Sequence, residues 1–90
     1  MEKRNTINNS TFLNNEPIPV LLGRKIRQIR TNLGMSQEAF AFEVGLHRTY
    51  VGQIERAEKN ISIKNIEKIC YSLNINPRDL FDFSDLEYSD

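Results

Sequence analysis

Gly45 stands between two apolar-periodic segments that are each barely two turns long, and nothing else in the chain limits its fold as sharply. Ahead of it, Ser36 is placed to cap a helix through its hydroxyl, Met35 and Phe40 have the spacing of a hydrophobic staple, and Phe40, Ala41 and Val44 share one face. Behind it, Leu46 and Val51 repeat the staple around His47, a weak N-cap by residue preference, and Val51 with Ile54 gives the inner edge of a second short helix. Two such helices make little sense as a core by themselves. Joined by a tight turn they read as a helix-turn-helix: Ala41 is small where the helices touch, Gly45 supplies the positive φ of the turn, and Val51 and Ile54 pin the second helix to the body.

The flanks supply that body. Leu22, Ile26, Ile29 and Leu33 form one helical stripe from Leu22 onward, closed by Gly34 where a left-handed cap is wanted. Ala57 to Ile61 is polar and reads as a loop. Ser62 then caps a fourth helix with the stripe Ile63, Ile66, Ile69, Cys70 and Leu73, for which Asn74 is the stop. Asn76-Pro77, a cap followed by proline at the first helical position, starts a short fifth helix through Leu80 and Phe81. Strand-like alternation and internal repeats are absent. The expectation is all-α: a compact five-helix bundle containing a helix-turn-helix. Residues 1–19, rich in Asn and closed by Pro17-Ile-Pro19, are expected to be a flexible tail, 20–82 the domain, and 83–90 an acidic tail. A plain five-helix bundle without a ligand is the alternative.

Charge narrows the function classes. The whole chain balances 12 basic against 12 acidic residues, which excludes a uniformly basic coat. Residues 24–56, however, hold six basic groups against Glu38, Glu43 and Glu55, net +3, while residues 57–90 are net −3 and purely acidic beyond Arg78. Such segregation suggests one face for a polyanion and another kept away from it, the alternative being the chance segregation common in so short a chain. No apolar run approaches the roughly 18 residues of a membrane span, so no membrane partner is expected. The first residues lack a secretory stretch and Cys70 is the single cysteine, so a cytoplasmic setting is the default, with Cys70 a small buried hydrophobe. His47 has no ligands at metal spacing, Ser36 and Ser62 are caps with no His and Asp pattern around them, and no glycine-rich phosphate loop occurs; no enzyme, cofactor or metal is expected.

Residues 22–81 resemble the Cro and phage-repressor-like (XRE-type) family of bacterial helix-turn-helix regulators, whose fold is the lambda-repressor-like DNA-binding domain, through Leu22-Gly23-Arg24-Lys25-Ile26-Arg27, Gly34-Met35-Ser36-Gln37-Glu38 and Ile54-Glu55-Arg56. Leu46-His47-Arg48-Thr49-Tyr50-Val51, with Asn60-Ile61-Ser62 beyond it, is most similar to the controller proteins of restriction-modification systems. The resemblance implies a homodimer on a partly palindromic operator in double-stranded DNA, regulating transcription, with RNA polymerase a further candidate partner. It also implies a structural salt bridge between Arg30 and Glu55, tying the first helix to the recognition helix, whereas Arg24 and Lys25 are expected to stay solvated.

On this reading the side of the third helix opposite Val51 and Ile54 faces DNA. Arg48 suits guanine O6 and N7, Gln53 suits adenine, the Thr49 methyl suits thymine, and His47 lies at the same base-reading end. Phosphate contacts are expected from Gln37, Tyr50, Arg56, Lys59 and Asn60. Gly52 inside the helix costs about 1 kcal/mol relative to alanine, for which closer approach to DNA is one return and simple tolerance the alternative. Leu80, Phe81, Phe83, Leu86 and Tyr88 are more apolar surface than a short last helix needs; a dimer interface centred on Leu80, Phe81 and Phe83 is one use, and capping the monomer core the other. A protein-interaction module of antitoxin type and a DNA-modifying fragment are the competing functions.

Overall fold

The computed structural model describes residues 15–86, and the expected roles of residues 1–14, of Tyr88 and of the rest of 87–90 lie outside them. Five helices follow one another: α1 (Ile18–Asn32), α2 (Gln37–Val44), α3 (Arg48–Glu55), α4 (Ile63–Leu73) and α5 (Pro77–Leu80), with no strand among the described residues. The chain is the all-α bundle its patterning predicts. α3 packs against both α1 and α2, while α4 closes on α2 and α5, so the recognition-type helix is held from two sides. Leu21, Ile26, Phe40, Ile69 and Leu80 are the largest fully buried side chains at the centre.

The first four helices end alike, because a left-handed residue lets two amides turn back onto the last carbonyls. Gly34 (φ 72°) donates to Thr31 O at 3.0 Å and Met35 to Arg30 O at 3.1 Å. Gly45 (φ 78°) donates to Phe42 O and Leu46 to Ala41 O at 2.9 Å, which fixes the turn of the motif. Ala57 (φ 59°) and Asn74 (φ 56°) fill the equivalent positions after α3 and α4. Alanine alone of these residue types has no local reason to be left-handed.

The ends of the domain differ from the sequence reading. α1 begins at Ile18, four residues before Leu22, because proline is tolerated in a first turn whose N–H groups lack intrahelical partners; Val20 and Leu21 both donate to Pro17 O, at 3.0 and 3.1 Å. This extra turn buries Leu21 completely. Leu33 and Ile63, the outermost residues of their stripes, are left exposed. At the other end, Phe83 and Leu86 enter the core, so the segment after residue 82 folds back on α1. Its Asp85 accepts from Lys25 Nζ at 2.8 Å, and Lys25, expected in solvent, is only 7% exposed. Arg24 is also paired, to Glu16 at 3.1 Å. Ser84 donates its hydroxyl (2.7 Å) and its N–H (3.0 Å) to Asp82 Oδ1, and these bonds, the hydroxyl's first, hold the Asp82 carboxyl below the usual carboxylate range.

Candidate nucleic-acid interface

α3 presents a narrow buried edge and a broad outer face. Val51, Gly52 and Ile54 are buried, whereas His47, Arg48, Thr49 and Arg56 are exposed and Tyr50 and Gln53 half-buried, with Tyr50 packed on the core. Lys59 and Asn60 are exposed in the loop that follows. Arg48, Thr49, Gly52 and Arg56 line one side of a shallow depression whose other side is Gln37 and Glu38 at the start of α2.

The brace behind this face is a buried carboxylate. Glu55 Oε2 accepts from Arg30 Nε at 2.6 Å, and Oε1 accepts from Arg30 Nη2 at 2.9 Å and from Gln37 Nε2 at 3.0 Å. Arg30 Nη1 donates further to Met35 O at 2.9 Å, in the link between α1 and α2. One side chain on α3 is thereby joined to the two helices that hold it, through a two-pronged guanidinium whose charge is reinforced first by the Glu55 hydrogen bonds and then, against its own desolvation, by the Glu55 charge. Gln37, read from sequence as a phosphate ligand, has one amide N–H committed to this network.

Backbone proximity explains two glycines. A Cβ on Gly23 of α1 would lie 2.5 Å from Ile54 O and 2.8 Å from Glu55 O, so α1 crosses directly over the last turn of α3. This contact was not read from the sequence, although a glycine inside an apolar helical stripe is its signal. Gly52 is buried against its neighbours: a Cβ there would meet Arg56 Nη1 at 3.0 Å and Gln37 Oε1 at 3.4 Å. The absence of a side chain there leaves room for the ends of the Arg56 and Gln37 side chains.

His47 caps α3, with Nδ1 accepting from the Thr49 N–H at 3.0 Å. Nδ1 is thus unprotonated and Nε2 carries the donor, which limits what this ring can offer to a base edge. The two arginines of this face have carboxylate partners: Arg48 Nη1 lies 3.3 Å from Glu38 Oε2, and Arg56 Nε 2.7 Å from Glu58 Oε2. Leu80, placed by sequence at a dimer contact, is fully buried and Phe83 nearly so, because both rest in the core of the single chain; Phe81 stays 40% exposed and meets Phe83 edge to face at 6.2 Å. Phe81 borders an apolar depression with Ile18, Pro19, Leu22 and Ile61, and Lys59 and Asn60 stand on its rim. Cys70 is buried, which pushes its thiol up and keeps it protonated. Among the described residues there is no group of three or more acidic, His or Cys side chains placed to hold a metal, and no helix is long and apolar enough to cross a membrane.

Two short helices joined at a left-handed glycine, the second braced from behind and bare in front, define a helix-turn-helix protein, and the helix-turn-helix family model matches residues 26–80. The chain belongs to this XRE-type family. Its relatives are more particular. It is 53% identical over 68 residues to control protein C.BamHI of Bacillus amyloliquefaciens, covering 74% of this chain and 84% of that protein, and 39% identical over 71 residues to control protein C.MunI of a Mycoplasma species, covering 78% and 93%. Among solved structures it is similar to the restriction-modification controller protein C.AhdI from Aeromonas hydrophila (TM-score 0.65, 47% identity, 69% of this chain and 94% of that one). The controller protein C.Esp1396I gives a TM-score of 0.67 at 32% identity, covering 77% and 90%.

Proposed function

We propose that the protein is a non-enzymatic, cytoplasmic transcription regulator of the restriction-modification controller type, which binds a partly palindromic operator in double-stranded DNA as a homodimer. The observation that carries the reading is the outer face of α3, where Arg48, Thr49 and Arg56 are exposed while Glu55 is tied to Arg30 and Gln37 behind it. A recognition helix needs this combination, since side chains read base edges only from a support that does not yield. In this reading Arg48, Thr49 and Gln53 take base edges, with His47 contributing Nε2–H, and Arg56, Lys59, Asn60 and the Tyr50 hydroxyl take phosphate; Gln37 has one amide N–H left for the same purpose.

The dimer contact is assigned to Phe81 and Ile18, which are exposed beside one apolar depression. Two copies joined there would present two α3 helices to half-sites about one helical turn, roughly 34–36 Å, apart. RNA polymerase is the protein partner a promoter-bound regulator implies. Selection of duplexes from a random pool, followed by anisotropy titration, tests the reading. Arg48→Ala should lose about 1–3 kcal/mol on the selected site and relax one base position. Lys59→Ala should weaken selected and unselected duplexes alike and lower the salt slope by about one. A pool that yields no sequence preference would refute the function, and an unchanged base preference in Arg48→Ala would refute the assignment of Arg48.

A further inference from the structure

The guanidinium of Arg56 is not waiting free for a phosphate. Its Nε donates to Glu58 Oε2 at 2.7 Å and its Nη2 to Glu58 Oε1 at 3.2 Å, a side-on, two-pronged grip of the kind an arginine makes with phosphate. Backbone geometry fixes this partner in place. Ala57, left-handed at φ 59°, donates to Ile54 O at 3.0 Å and Glu58 donates to Gln53 O at 2.8 Å, so the residue three beyond the end of α3 is brought back beside Arg56. Two backbone bonds already close this turn, and both side chains are more than half exposed, so the ion pair adds little to the fold.

We propose that Glu58 is a built-in competitor for DNA phosphate at Arg56 and sets the affinity of the protein for duplex DNA. The inference rests on the DNA-binding reading above. Arg56 cannot offer Nε and Nη2 to a phosphate until the pair opens, so each complex that uses Arg56 is weakened by the free energy of opening. Phosphate contacts carry no base identity, so the weakening falls on cognate and random duplexes alike. The shared hydrogen bond, ahead of the charge attraction, raises Arg56 and holds the Glu58 carboxyl below its ordinary range, so the competitor is ionised at neutral pH. An exposed pair of this kind corresponds to a factor between about 1.5 and 5 in affinity.

The test is a double-mutant cycle with the full chain: wild type, Glu58→Gln, Arg56→Gln and the double variant, titrated against a labelled mixed-sequence duplex and a selected operator. Glu58→Gln should bind both duplexes about two- to fivefold tighter, while the same change in the Arg56→Gln background should alter binding by less than about 1.5-fold. Glu58→Gln that binds no tighter than wild type overturns the proposal. Tightening that persists without Arg56 overturns it as well, because general repulsion between Glu58 and DNA would then account for the effect. Wild type that binds neither duplex refutes the DNA-binding reading itself, an outcome distinct from a wild type that binds but ignores Glu58.

Discussion

Gly23→Ala is the sharpest test of how the recognition helix is held. The added methyl would sit 2.5 Å from Ile54 O and 2.8 Å from Glu55 O, closer than carbon and oxygen approach in folded proteins, and neither obstacle is a side chain that can swing away. α1 would have to withdraw from α3 by roughly 0.5–1 Å to restore ordinary contact. That movement stretches the Arg30 to Glu55 bonds of 2.6 and 2.9 Å and loosens Leu22 and Ile26 in the core. Overpacking of this kind costs about 1–3 kcal/mol, here toward the upper end, and the better helix propensity of alanine returns about 1. The net loss of about 1–2 kcal/mol lowers Tm by roughly 5–15 °C in a domain of this size, read by circular dichroism on heating and in urea. Gly52→Ala is the control: its obstacles are the ends of Arg56 and Gln37, which can move, so stability should hold or rise by up to about 1 kcal/mol while DNA affinity falls with the displaced Arg56. Equal destabilisation by the two substitutions, or none by Gly23→Ala, would refute the reasoning.

The remaining predictions concern the dimer and the C-terminal segment. Phe81→Ser should give a folded monomer with weakened operator binding, because the second half-site contact is lost, whereas Phe83→Ser should destabilise the single chain; sedimentation and thermal melts distinguish the two, and a dimeric Phe81→Ser variant would move the interface elsewhere. Ser84→Ala should bring the Asp82 carboxyl part of the way back up toward its ordinary range in an NMR titration, and an unmoved titration would show that the Ser84 hydroxyl is not the cause. Since the folded pKa is depressed, the stability Asp82 contributes is present above its unfolded pKa and lost as pH falls through the folded one; Ser84→Ala, which keeps the backbone N–H bond, should weaken this acid-side dependence.

The fold was legible wherever one residue type has a local job. Ser36 and Ser62 accept from the N–H groups of Ala39 and Asn65, Gly34 and Gly45 are left-handed, and Asn76 with Pro77 opens α5, each as the sequence suggests. Helix ends lacking such a signal were misread: a Pro-Ile-Pro run looks like a linker until its first turn is seen to need no amide donors. Lys25 and Asp85 lie sixty positions apart, and nothing local to either residue announces their pairing. The carboxylates opposite Arg48 and Arg56 were invisible for a related reason. Glu38 and Glu58 read as ordinary surface charges, and only the crossing of α2 on α3 and the left-handed Ala57 bring them to the arginines.

Placement of these carboxylates separates two tasks that one helix has to perform. The Glu55 side chain is buried, 4% exposed, and holds α3 through three hydrogen bonds to Arg30 and Gln37; a change there takes the carboxylate from a half-buried guanidinium and a half-buried amide, so it is bound to the fold. The Glu38 and Glu58 side chains are exposed and pair with the outward-facing arginines, so they can change with little effect on packing. The positions proposed to read bases have the same freedom, because Arg48 and Thr49 are exposed while Val51 and Ile54 anchor the opposite edge. On the proposed reading, operator sequence and affinity can therefore be altered one surface residue at a time on an unaltered scaffold, whereas a change at Arg30 or Glu55 breaks their shared hydrogen bonds and a side chain at Gly23 meets the backbone of α3.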